Sequence, residues 1–214
     1  MISKDSIPGI SQPTSEALIR LAVVADTHVP DQAEGLPPGF VEELAKWKVT
    51  AVLHAGDICI KAVLEELSQV APVIAVRGNR DVIFARQLPL VARAEFGGVK
   101  LALMHGHGGF LHYLGDKIRY YHSGYQLERY KELLLSVAPE ADVIVFGHTH
   151  TPERAWHQKR LLFNPGSLIG AQRFKPVYGI LEMRADGGVD GKHIFMEGWE
   201  RKGRHWQKTG GQKD

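Results

Sequence analysis

Short, uninterrupted apolar runs recur along the chain, and between several of them apolar residues return at helical spacing. The runs are Leu21–Ala25, Ala51–Leu53, Val73–Val76, Leu101–Met104, Val143–Phe146 and Leu161–Phe163. Continuous rather than alternating apolar character predicts strands covered on both faces, as in sheets flanked by further layers. Phe40, Leu44 and Trp47 fit one helical stripe, and Ile60, Val63, Leu64, Leu67 and Ala71 fit a second. Leu111, Leu114, Ile118 and Tyr121 fit a third, and Leu127, Tyr130, Leu134 and Val137 a fourth. Near the end, Val177–Met183 and Val189–Met196 flank Asp186-Gly187-Gly188, which predicts a β-hairpin. Residues 1–19, with Pro8-Gly9 and Gln12-Pro13, hold no period and are expected to be an irregular lead-in. With no repeat and no low-complexity linker, residues 20–197 are assigned to one α/β domain, followed by a tail at 198–214.

Composition narrows the class only slightly. At 44% hydrophobic and 23% charged over 214 residues, the chain is ordinary globular material, which excludes disordered and collagen-like proteins. A net charge of +2 gives little support for nucleic acid as a partner, and the basic excess lies in the tail, five Lys/Arg against two acids from Gly198 on. That tail is expected to be a frayed, solvated terminus. No apolar run approaches the ~20 residues that span a bilayer, so no membrane partner is expected. Lys4, Asp5, Glu16 and Arg20 before the first run and Asp26 after it leave no uncharged secretion segment, and a cytoplasmic location is expected. Cys59, a lone cysteine, cannot form an internal bridge and is expected to be a small buried hydrophobe.

The informative positions stand at the carboxyl ends of the apolar runs. In order they are Asp26-Thr27-His28, Gly56-Asp57, Gly78-Asn79-Arg80-Asp81, His105-Gly106-His107, Gly147-His148-Thr149-His150 and Asn164-Pro165-Gly166-Ser167. In open α/β sheets ligands bind outside the carboxyl ends of strands, so these tips can converge on one rim. Oxygen and imidazole donors in that mixture suit Mn, Fe, Zn, Co or Ni rather than Ca or Cu(I). Asp26, His28, Asp57, Asn79, His105, His148 and His150 are too many donors for one ion and the right number for two sharing a bridging carboxylate. Two such ions clamp a displacement at phosphorus and acidify bound water toward neutrality, which supplies a nucleophile without Ser or Cys.

The ordered blocks Asp26/His28, Gly56-Asp57, Gly78-Asn79-Arg80-Asp81, His105 and Gly147-His148-Thr149-His150 resemble the signature of the calcineurin-like metallophosphoesterase superfamily. Asn164-Pro165-Gly166-Ser167 is similar to the small single-domain prokaryotic phosphodiesterases of that superfamily. The resemblance implies a four-layer α/β/β/α sandwich with its metal site at the carboxyl strand ends. It implies two divalent transition-metal ions, manganese first and Fe, Zn, Ni or Co as alternatives. One would be held by Asp26, His28, Asp57 and His150, the other by Asp57, Asn79, His105 and His148. Asn79, Arg80, Asp81 and His105 are expected in catalysis, and Arg80, His107 and Asn164 in contact with substrate.

Arg80 departs from the pattern, because many members carry a His there that is thought to assist the leaving group. Arginine does not donate its proton at neutral pH, but it neutralises charge on a phosphoryl or departing oxygen. His54, inside an apolar run, is expected to be a hydrogen-bonded core histidine. Tyr113, Tyr120, Tyr121, Tyr125 and Tyr130 lie among cations, a mixture that suits either packed helices or a nucleobase platform, and helices from about Phe110 to Arg129 beside the rim are expected. The function expected is a dinuclear phosphoesterase cleaving phosphodiesters of small substrates, nucleotide-like ones among the candidates. The alternatives are a phosphomonoesterase on the same site and a non-catalytic scaffold, since a relative serves as a trafficking-complex subunit.

Overall fold

A computed structural model describes residues 18–81, 84–106, 127–171 and 174–209. Strands β1 (Ile19–Val24), β2 (Ala51–His54) and β3 (Val73–Ala75) run parallel. β9 (Val177–Met183) lies antiparallel to β1, and β10 (Val189–Phe195) follows it by the expected hairpin, giving the order β10-β9-β1-β2-β3. The second sheet has the order β4-β5-β6-β8-β7, from β4 (Val91–Phe96), β5 (Val99–Met104), β6 (Val143–Val145), β7 (Glu153–His157) and β8 (Arg160–Asn164). Its central strands β5, β6 and β8 are parallel.

The two-residue period of a strand explains why the central runs are apolar throughout. Leu21 and Val23 of β1 join Leu53, Leu101, Leu103, Val145, Phe163 and Leu181 in the core between the sheets. Ala22 and Val24, pointing the other way, pack with Phe40 and Leu44 of α1 (Phe40–Lys46) and Val63 and Leu67 of α2 (Lys61–Leu67). The outer face of the second sheet, Ala102, Ile144 and Leu162, is covered by Leu134 and Leu135 of α3 (Leu127–Val137). Helix, sheet, sheet and helix are thus the four expected layers. Tyr178 fixes α1 to its sheet, its hydroxyl donating to Glu43 Oε1 (2.8 Å) and accepting from Trp47 Nε1 (2.9 Å).

Two edge strands escaped the sequence pattern. In β4 Ala92, Ala94 and Phe96 pack on the core between the sheets and Val91 on the outer one, with Arg93 and Glu95 interrupting them, and β7 exposes Trp156, so neither makes an apolar run. The tail expectation is corrected. Trp199–Lys202 (β11) and His205–Lys208 (β12) form a hairpin, seated on the loop that follows His28. Arg201 Nη1 donates to Gln32 O (2.7 Å), Trp206 Nε1 donates to Gly35 O (2.9 Å), and His205 faces the Glu34 carboxylate at 2.6 Å. The lead-in, His107 and the tyrosine-rich stretch before α3 lie outside the described residues. Among the described residues no helix is long and apolar enough to cross a membrane.

Candidate metal centre

The tips of β1, β2, β3, β5, β6 and β8 meet at one end of the sandwich, and the backbone there bends in a way side chains resist. Asp26, His28, Asp57, Cys59, His148 and His150 all have left-handed φ, between 47° and 72°. Each such residue costs about 1–3 kcal/mol and persists only where its surroundings over-determine it. Cross-loop hydrogen bonds supply that constraint. Asp26 N–H donates to Gly56 O and His28 N–H to Asp57 O, both at 3.0 Å. His148 N–H donates to Asp26 Oδ2 (3.0 Å), and Arg80 N–H to Asp57 Oδ1 (2.8 Å). The loops also interlock sterically, because a Cβ on Gly56 would stand 2.8 Å from both Gly78 N and His105 Nδ1.

The side chains so aimed form two adjoining groups. Asp26, His28 and His150 bring donor atoms within 4.8 Å of one another, as do Asp26, Asp57 and His105. His28 Nε2 and His150 Nε2 are 3.1 Å apart, and Asp26 Oδ1 lies 3.4 Å from His150 Nε2. Asn79 Oδ1 stands 3.0 Å from His105 Nε2 and 3.1 Å from His148 Nδ1. Asp57 reaches both groups, with Oδ2 3.7 Å from His28 Nε2 and Oδ1 3.5 Å from His105 Nε2.

Donor chemistry tests whether a cation fits. His105 Nδ1 faces Ala55 O at 2.7 Å; a carbonyl only accepts, so Nδ1 carries the proton and Nε2 presents a lone pair. That lone pair meets the Asn79 carbonyl oxygen, two acceptors face to face. Asp26 Oδ1 and His28 Nδ1 are buried without a hydrogen-bond partner. Burial, then the neighbouring Asp26 carboxylate, pushes Asp57 up to about 7, the response of an acid missing a positive partner. Burial pushes His28 down to about 4, keeping it neutral and able to ligate. Burial acts to raise Asp26 and to lower His150, but their mutual attraction outweighs it, and Asp26 lies below and His150 above its ordinary value. A divalent ion relieves the orphaned Asp26 oxygen, the uncompensated Asp57 carboxylate and the facing His105 and Asn79 lone pairs, and imidazole-rich donors suit a transition metal.

The other expected residues divide by what they touch. Arg80 is exposed, and its positive charge acts on both His28 and His150, which places it at the rim. Asp81 is buried, accepting from Ile58 N (2.9 Å) and Cys59 N (2.7 Å) on Oδ1 and from Gly78 N (2.8 Å) on Oδ2. Asn164 is also buried; its amide donates to Gly147 O (2.9 Å) and Thr149 Oγ1 (3.0 Å), and its Oδ1 accepts from Gly166 N (2.9 Å). Both meet loop backbone instead of open space. Cys59 is half-buried, its thiol pushed up to about 12 by burial and nearby carboxylates. Sequence reasoning passed over Thr27 and Ser167. Ser167 Oγ donates to Asp26 O (2.9 Å), and nothing in a hydroxyl's sequence context distinguishes that contact from a solvated one.

Residues 19–186 match the family model described as the calcineurin-like phosphoesterase superfamily domain. A probable metallophosphoesterase of Methanocaldococcus jannaschii is 30% identical over 83% of this chain and 81% of its own length. A probable metallophosphoesterase of Methanothermobacter thermautotrophicus is 32% identical over 78% of this chain and 86% of its own. The solved structure of wild-type Vps29 from Entamoeba histolytica, complexed with zinc, aligns with a TM-score of 0.58 at 24% identity. That alignment covers 82% of this chain and 98% of Vps29.

Proposed function

The chain belongs to the calcineurin-like phosphoesterase superfamily, and from that premise we propose that it is a dinuclear metal-dependent phosphodiesterase. Asp57 carries the proposal: one carboxylate oxygen faces His28 (3.7 Å) and the other faces His105 (3.5 Å), the placement of a shared ligand. Asp26, His28, Asp57 and His150 would hold one ion, and Asp57, Asn79, His105 and His148 the second. When bound, the ions would polarise the phosphoryl group and acidify water for in-line attack.

The chain's own residues do the rest. Ala55 O holds His105 in the tautomer whose Nε2 is bare. Arg80 stands where the field of its guanidinium reaches both His28 and His150, and it neutralises a phosphoryl or departing oxygen. Arg80, a rim cation among the described residues, suits the single negative charge of a diester. Asp81 and Asn164, with their carboxylate and amide already engaged by loop groups, hold the Asp57 and His148 loops and act as positioning residues. A scaffold role, the alternative set out above, leaves the strained convergence of seven donors without a purpose.

The test is metal analysis of the purified full chain beside hydrolysis of matched aryl diesters and monoesters. About two transition-metal ions per chain and a higher kcat/KM on the diester are expected. A metal-loaded protein with neither activity would return the scaffold reading.

A further inference from the structure

Beneath the two ligand-bearing loops of β1 and β2 lies a fully buried polar pair, Thr27 and His54, both 0% exposed. Neither can ligate from there. His54 Nδ1 accepts from Gly56 N–H at 3.2 Å. Because that amide can only donate, Nδ1 is bare, and a neutral ring must carry its proton on Nε2. Nε2 lies 3.2 Å from Thr27 Oγ1, so the ring donates and the hydroxyl accepts. The hydroxyl proton is then left for Asp57 O at 3.3 Å, with Ile58 O at 3.5 Å as its second acceptor. Each bond sets the direction of the next.

We propose that Gly56 N–H, His54, Thr27 and Asp57 O form a one-way hydrogen-bond relay that holds the metal ligands Asp26, His28 and Asp57 in their left-handed backbone, making His54 and Thr27 positioning residues for metal binding. Thr27 is the residue between Asp26 and His28, and Gly56 and Asp57 are the two ends of the relay on the other loop. The backbone bonds from Asp26 N to Gly56 O and from His28 N to Asp57 O tie the loops along one line. The relay ties them along a second. Two lines of attachment fix rotation as well as separation, and strained positions need both. Groups that orient ligands without touching the ion are commonly worth about 10–100-fold in metal affinity. The inference rests on the metal-binding reading above.

The experiment uses the full-length chain. Nitrogen-15 NMR of the wild-type imidazoles should show His54 protonated on Nε2; a proton on Nδ1 would overturn the relay. Calorimetric titration with cobalt(II) should then show about 10–100-fold weaker binding for Thr27→Val and nearly wild-type binding for Thr27→Ser, which keeps the hydroxyl. His54→Asn keeps an acceptor near Gly56 N–H but cannot reach Thr27, and combined with Thr27→Val it should weaken cobalt no further than the worse single change. Equal loss in the Ser and Val variants, strictly additive losses, or a lowered melting temperature with unchanged cobalt affinity would each reject the proposal. If His54→Asn fails to fold, the Thr27 pair alone decides. Wild-type protein that binds no cobalt would overturn the metal reading, and variants that bind it as tightly as wild type would overturn only the relay.

Discussion

The two ends of the sandwich meet the same steric problem with different residues. At the end opposite the metal rim, the β4–β5 and β9–β10 turns take left-handed φ at Gly98 (80°) and Gly187 (79°), where an added Cβ would meet nothing within 4 Å. There glycine serves only to let the chain turn. At the rim left-handed glycines such as Gly56 and Gly166 are joined by left-handed Asp26, His28, Asp57, Cys59, His148 and His150, and a further glycine makes room beside them: a Cβ on Gly78 would crowd Asp57, 2.9 Å from its Cγ. Strain is thus accepted where a side chain is needed and glycine is used to make room for it. Gln158 and Lys159, in the exposed β7–β8 turn, are left-handed without any such role, so left-handed backbone alone does not mark the site.

The largest effect should come from the residue shared by both donor groups. Asp57→Asn should weaken both ions by more than the about 10–100-fold typical of groups that merely orient ligands, and abolish hydrolysis. Metal analysis and diester turnover check this; undiminished hydrolysis by a loaded Asp57→Asn protein would remove the bridging assignment.

Next, the two ends should separate under identical chemistry. Gly78→Ala should cost about 1–3 kcal/mol by overpacking, and Gly187→Ala about 1–2 kcal/mol for a left-handed Cβ. Only Gly78→Ala should also weaken metal binding. Urea unfolding with parallel metal titrations measures both quantities, and equal metal affinity in the two variants would erase the distinction between the ends.

A smaller effect follows from protons. In the folded, metal-free chain Asp57 keeps its proton up to about 7, while its ordinary value is 3.8. Between those values the folded chain binds the extra proton, so this group's contribution to stability falls as pH rises. A bound ion needs the bare carboxylate, so below pH 7 protons compete with it. The stabilisation from added manganese, read as a melting-temperature gain, should therefore grow from pH 5 to pH 7, by up to about 1.4 kcal/mol per pH unit for the proton displaced, and level off above pH 7. A pH-independent gain would contradict it.

The most selective change should be Arg80→His. Restoring a proton donor should raise kcat/KM on alkyl diesters toward the ~10²-fold low end of general-acid assistance and change activated aryl diesters little. A uniform loss on both would show that the guanidinium binds phosphate or maintains its loop.

Much of this was legible in one dimension because the causes are local. Leu21–Ala25 and Val143–Phe146 are unbroken apolar runs, which only strands buried on both faces require, and the Asp, His and Asn residues at their carboxyl ends named the donors before any geometry existed. β4 and the β11–β12 hairpin were not legible, since alanines and alternating charges make an edge strand only beside a partner. The sequence by itself determined that the central strands are covered on both faces and which Asp, His and Asn side chains stand at their carboxyl ends, since these follow from hydrophobic period and residue type, while the four layers and the grouping of candidate ligands were implied by the family resemblance. Tertiary structure alone decided that Asp81 and Asn164 meet loop backbone and that Thr27 and His54 join two loops. Those facts depend on distances between segments far apart in the chain, and a residue's type does not say which of its hydrogen bonds will be made.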